Sequence, residues 1–518
     1  MTRHGLLAFA ALAAALGCGA QSSAPTQPDS GSAGAAGAEA GTPLALAAGE
    51  AAELGVVDGR ASVVLASPKG DEQFVIVLAS TLFGDSSASS GYTLELGGTL
   101  GGTPARVATA CSLNDTRFRS KALPSETPPS GAPLEPGITR TILMPVPGDF
   151  ESIQVEAVAL GEHAVVWADV TPAHPANLES GVAAELLRDF ERTILPRQRA
   201  IFGMESDIDG DGRISLVFTP LTYRTAIAFF SACDLKTLTQ CLSSNRGELL
   251  YLTPPSAIDP PYNTLSALQE IVSHECSHLI HYARKVLNNG LSDWQDGAYM
   301  AEGVGALAQD VVGPQAGNLY VTQAGLDGID QFSLADTLLD DTVYDLRRDG
   351  VLRGASYLFV RWLYDRAGGD TANADGSITS RGGPALLRDL IDARESIATA
   401  LPRIVQSSVE DIAVDFYTAL ALSNRDEAGG APPANSCFSY LPTSLDPIWQ
   451  RQRGASVFAR FHGMQMSGPA VQPAPSADGK LRAGGVEYFL LDAAGPETTF
   501  VLRVDSAAKP RVRVGRLR

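Results

Sequence analysis

Ile271-Val272-Ser273-His274-Glu275-Cys276-Ser277-His278-Leu279-Ile280-His281-Tyr282 carries two histidines four residues apart, with a glutamate directly after the first. Asn263 upstream is a helix N-cap residue and Asn288-Asn289-Gly290 downstream is a stop, so the spacing predicts one helix between them. Counting about 100° per residue from His274, His278 falls near 40°, and Leu265, Leu268, Val272, Leu279 and Ala283 gather between about 120° and 180°. The two imidazoles therefore share one face and the apolar stripe occupies another. Cys276, near about 200° by the same count, reads as a buried thiol rather than a ligand. Two imidazoles at i and i+4 can reach one zinc ion, and the adjacent Glu275 can take a proton from water. The chain has only 7 histidines, so the pattern is hard to obtain by chance.

A hydrolytic zinc site needs a third protein ligand. His281 follows His278 by three, but three ligands on one helix fix the metal poorly. Glu302 in Ala301-Glu302-Gly303-Val304-Gly305-Ala306 is the better candidate, on a second helix capped by Asp296 and ended by Gly313-Pro314. It shares a helix face with Ala298, Gly305, Ala306 and Gln309, and small neighbours would let two helices approach closely enough to share a metal. An exposed helix carboxylate is the plainer alternative. Tyr357, Tyr282, Tyr299 and His281 are candidates to stabilise an oxyanion, Tyr357 foremost.

The histidine motif followed by a Glu-Gly-x-x-Ala helix resembles the gluzincins, the thermolysin-like zinc peptidases. More narrowly, Asp209-Gly210-Asp211-Gly212-Arg213-Ile214, Ser244-Asn245-Arg246-Gly247-Glu248, Leu250-Tyr251-Leu252, Glu302-Gly303 and Gly354-Ala355-Ser356-Tyr357-Leu358-Phe359 resemble the hyicolysin family of bacterial neutral metallopeptidases. The similarity spans roughly residues 178–369. It implies zinc held by His274, His278 and Glu302, with Glu275 as general base. Three departures stand out: Cys276-Ser277 inside the motif, Ala301 where Asn is usual, and Gly305, which leaves no acid to orient a zinc histidine.

Asp207-Ile208-Asp209-Gly210-Asp211-Gly212 has oxygens at the first, third and fifth places of a calcium loop and Gly at the sixth. Phe218 at the twelfth excludes an intact EF-hand. A turn holding calcium through Asp207, Asp209 and Asp211 and a plain Asp/Gly turn both remain open. The run Glu248 to Leu252 is a strand that could be either a sheet edge receiving an extended peptide or an ordinary core strand.

Outward from this centre, short runs such as Ala61–Leu65, Phe74–Leu78, Tyr92–Leu96 and Ala164–Ala168 predict a β-sandwich over residues 44–171. Val182, Leu186, Phe190 and Ile194, four apart, predict a helix, and residues 172–425 then form an α+β peptidase domain. A loop and strands make a small C-terminal β domain over 426–518. Residues 19–43, rich in Ser, Ala, Gly and Pro, read as a flexible linker.

Residues 1–18 read as a secretory signal, with Arg3 and His4 before an apolar run. Ala15-Leu16-Gly17-Cys18 resembles a bacterial lipobox and implies lipidation at Cys18. The resemblance then implies an exported, outer-membrane or cell-surface lipoprotein; plain secretion is the alternative. In an oxidising compartment Cys233 and Cys241 could close a small disulfide loop. A Cys111–Cys437 pairing is compatible with the count but not deducible from it. Lys+Arg 39 against Asp+Glu 58 gives net charge −19, which disfavours nucleic acid as a partner. G-x-S-x-G, a phosphate-cradling loop and CxxC are all missing. The expectation is a zinc metalloendopeptidase acting on extracellular protein or peptide. Rival readings are an inactive surface-binding lipoprotein with a structural zinc helix, and a zinc exopeptidase.

Overall fold

Phe74-Val75-Ile76-Val77-Leu78 is apolar at every position because both of its faces are covered. Phe74, Ile76 and Leu78 point into one hydrophobic cluster, and Val75 and Val77 into another. A strand side chain switches faces at each step, so an unbroken apolar run marks a strand buried on both sides. The computed structural model describes residues 42–518 except 84–87, 98–104, 110, 114–115, 131–133, 315–317, 339–347, 462 and 475. The signal, most of the linker and Cys18 lie outside the described residues. No helix among those described is long and apolar enough to cross a membrane.

Five strands open the described chain: β1 (Ala51–Leu54), β2 (Arg60–Ala66), β3 (Gln73–Ser80), β4 (Ser89–Leu96) and β5 (Ala105–Val107). Six more form the sheet beside the candidate site: β6 (Thr139–Val146), β7 (Asp149–Leu160), β8 (Ala164–Asp169), β9 (Ile214–Phe218), β10 (Ala228–Phe230) and β11 (Leu249–Leu252). The last long strands are β12 (Ser476–Arg482), β13 (Val486–Asp492), β14 (Glu497–Val504) and β15 (Pro510–Arg516).

The predicted division into an N-terminal sandwich and a separate C-terminal β domain is corrected by the pairings. β3 lies between β13 and β15, and β15 also pairs β1. In the facing sheet β14 lies between β4 and β2, with β12 outside β4. The two ends of the chain thus build one two-sheet sandwich with a shared apolar interior. β6, β7 and β8, predicted to belong to the sandwich, instead extend the site sheet, whose order is β10-β11-β9-β8-β7-β6. The physical reason is the crossover between β8 and β9. They run parallel, so helices at Ser180–Asp189 and Leu195–Ile201 must return the chain across the sheet. Alternation shows that a segment is a strand but not which sheet it joins.

Three helices carry the site: α1 (Leu265–Tyr282), α2 (Ala298–Val311) and α3 (Asp349–Ala367). α1 starts one residue later than predicted, because Thr264 rather than Asn263 caps it, accepting from Ala267 N at 3.2 Å. Asp296 does not cap α2. It is buried and accepts from His281 Nε2 at 2.7 Å and from Ile397 N. Gly297 occupies the N-cap position.

Disulfides join Cys233 to Cys241 and Cys111 to Cys437. The second bridges the segment after β5 to the segment after the long helices. Cys276 is a free, fully buried thiol, as its place on the helix wheel predicts.

Candidate metal centre

His274 and His278 lie one turn apart on α1, and their Nε2 atoms approach to 2.9 Å. α2 packs against α1 and delivers Glu302, with Oε2 3.4 Å from His274 Nε2 and Oε1 3.9 Å from His278 Nε2. Two donors held at 2.0–2.1 Å by a tetrahedral zinc are about 3.3 Å apart. The three separations bracket that value, so the donor set fits zinc in both chemistry and spacing. These residues form one of three groups among the described residues with convergent metal-ligating atoms. A second contains Cys111 and Cys437, whose sulfurs are bonded to each other.

Two glycines allow the approach. A Cβ on Gly305 would lie 2.6 Å from His274 Cε1 and Nε2, so the ring occupies the space a side chain would need. A Cβ on Gly303 would meet the Ser356 carbonyl oxygen of α3 at 2.8 Å. The small residues around Glu302 therefore face helices on both sides.

An outer layer of partners escaped the sequence reading. Gln309, two turns after Glu302, places Oε1 3.1 Å from His274 Nδ1, and its Nε2 donates to Glu270 Oε1 at 3.2 Å. Because the Gln309 amide gives its N–H to Glu270, its carbonyl oxygen accepts from Nδ1–H. That leaves the Nε2 lone pair toward the metal point. Gln309 takes the orienting role that Gly305 cannot. It was already on the Glu302 face of the helix wheel, the one signal that could have found it. Arg353 of α3 donates to Glu302 Oε2 and, through Nε, to both oxygens of Asp349 at 2.9 and 3.1 Å.

These contacts set the charges. Burial raises the Glu302 carboxyl, but the Arg353 guanidinium and the histidines outweigh it and hold the group at about 2. Burial, with the His274 imidazolium beside it, takes His278 down to about 3; burial opposes the rise at His274, but Glu302 and Glu275 hold it above its ordinary value, so zinc would bind there by displacing a proton. Glu275 is buried and pushed up to about 7, chiefly by burial; His274 opposes the rise and Glu302 adds to it. The Glu275 Oε2 accepts from Phe230 N at 3.0 Å, which ties the carboxylate to the last residue of β10.

Tyr357 is corrected as an oxyanion donor. It is fully buried, and its hydroxyl donates to Asp310 Oδ2 at 3.0 Å, beside the Arg361–Asp310 ion pair. It lies one turn beyond Arg353 on α3, and its hydroxyl meets Asp310 of α2. His281 is held by Asp296, Tyr282 stacks on Trp294, and Tyr299 is buried. β11 is likewise not the sheet edge: it lies between β10 and β9, and β10 ends the sheet. Asp211 does not join Asp207 and Asp209. Its Oδ1 accepts from Arg213 N at 2.7 Å, and Glu248 takes the third place.

Gln309→Ala is expected to weaken zinc binding about 10–100-fold in competition with a chromophoric chelator. Gln309→Glu, which keeps an acceptor at Nδ1, should retain it. An unchanged affinity in the alanine variant would remove the orienting role. Compared with known proteins, the chain matches no family model and no curated sequence.

Proposed function

We propose that this protein is a zinc-dependent metallopeptidase of the thermolysin-like kind that hydrolyses peptide bonds with Glu275 as general base. The observation that carries the reading is the convergence of His274, His278 and Glu302 beside a buried glutamate held by a sheet-edge amide. Bound zinc would supply a Lewis acid that activates water and polarises a carbonyl. His274 is oriented by Gln309, and Glu302 is held ionised by Arg353. Glu275, poised near neutrality, accepts a proton from water and returns it to the leaving amine. β10 leaves its outer edge to a peptide that adds as a strand, alongside the residue that fixes Glu275.

Export is part of the proposal. Two disulfides are compatible with an oxidising compartment, and Cys18 is the proposed lipid anchor.

Metal analysis with a protease assay tests the function. Wild-type protein should hold about one zinc per chain and cut casein at internal bonds. Glu302→Ala should lose both. Full zinc occupancy in that variant would move the third-ligand role elsewhere. A zinc-loaded wild type without any peptide hydrolysis would reject the peptidase, and a ladder of single-residue losses would make it an exopeptidase.

A further inference from the structure

We infer that Asp207, Asp209 and Glu248 form a calcium site, independent of the zinc reading, that ties the loop before β9 to the entry of β11. One carboxylate oxygen from each lies within 4.8 Å of the others. Two oxygens bound to calcium at 2.3–2.6 Å lie at most about 5 Å apart, so one ion can reach all three. All the donors are hard oxygens, which suits calcium and not zinc.

A cluster of acids is common on protein surfaces, but Glu248 is not on the surface. It is only 2% exposed, and its Oε1 accepts from Ile208 N at 3.1 Å. Its Oε2 is buried without a hydrogen-bond donor; Ser206 Oγ is near but outside hydrogen-bonding geometry and is itself unsatisfied. No salt bridge among the described residues reaches any of the three carboxylates, and Arg140 attracts Asp209 only through space. Arg140 instead donates to Ser215 Oγ at 2.8 Å and lies over the Trp167 ring. A buried carboxylate oxygen facing two other acids is costly unless a cation joins them.

The local backbone leaves room for that cation. Asp207 and Asp209 each use Oδ1 to accept a loop amide, from Gly212 N at 3.0 Å and from Asp211 N at 3.1 Å. A Cβ on Gly247 would stand 3.0 Å from Asp209 Oδ2, so the glycine before Glu248 clears the approach of the loop. The ligand that the loop lacks at its twelfth place is thus supplied from a different strand.

The test uses the full chain, zinc-loaded and freed of calcium with a calcium-selective chelator. Calorimetric titration with CaCl2 should show one site, and thermal melting should show a rise in Tm of about 2–5 °C. Glu248→Gln should lose both responses, yet melt without calcium at or above the calcium-free wild type, because a buried charge has gone. A merely structural Glu248 would lower Tm in both conditions. Should Glu248→Gln fail to fold, Asp209→Asn, at the exposed member of the trio, serves instead. The response should persist in Glu302→Ala, which separates this site from the zinc reading. Absence of binding in the wild type, calcium binding retained in the variants, or an equal response to MgCl2 would overturn the assignment.

Discussion

Glu275→Gln is expected to lower kcat for a quenched peptide by about 10²–10⁴-fold, the range typical of losing a general base. Zinc content should stay near that of the wild type, because Glu275 is not among the three convergent donors. The fold should tolerate the change, since a glutamine oxygen can still accept from Phe230 N. The pH profile supplies a second readout. A base works ionised, so kcat/KM should rise with pH through the Glu275 pKa. Burial pushes that pKa up to about 7, and a bound cation nearby would pull it lower, so the acid limb belongs at or below pH 7. Undiminished hydrolysis by the glutamine variant would end the general-base assignment.

Gly305→Ala is expected to cut zinc affinity about 10–100-fold. Inside a helix, replacing Gly by Ala ordinarily favours folding by about 1 kcal/mol. Here the new Cβ would sit 2.6 Å from the His274 ring. Overpacking costs about 1–3 kcal/mol, so the clash cancels or exceeds the helix gain. The ring can escape by swinging, but only by leaving the point it shares with His278 and Glu302. The metal-free variant should therefore melt close to the wild type, while the rise in Tm on adding zinc shrinks. An unaltered zinc-induced rise would show that the ring position does not depend on this glycine.

Legibility in the sequence followed the range of the interaction. The α1 face was readable because helix geometry is local: His274, Glu275 and His278 are related by turns of one helix, and Cys276 falls on its buried side. Glu302 was readable because its small neighbours signal a close helix approach. Tyr357 was misplaced because a tyrosine on a helix can face core or cleft. Its Asp310 partner lies 47 residues away. Asp211 was misplaced for a related reason: regular loop spacing made it look like Asp207 and Asp209, whereas the oxygen that converges with theirs comes from Glu248.

From the sequence alone came the helical histidine pair with its glutamate, the companion carboxylate, the buried thiol and the short loop between Cys233 and Cys241. All but the companion carboxylate depend on residues within a few turns of one another. Tertiary structure alone decided that both chain ends share one sandwich, that β10 is the edge, and that Gln309, Arg353 and Glu248 join the two clusters of metal-ligating side chains. Those outcomes depend on which distant backbone segments pack together, and the packing is fixed by the burial of whole faces rather than by any short pattern of residues.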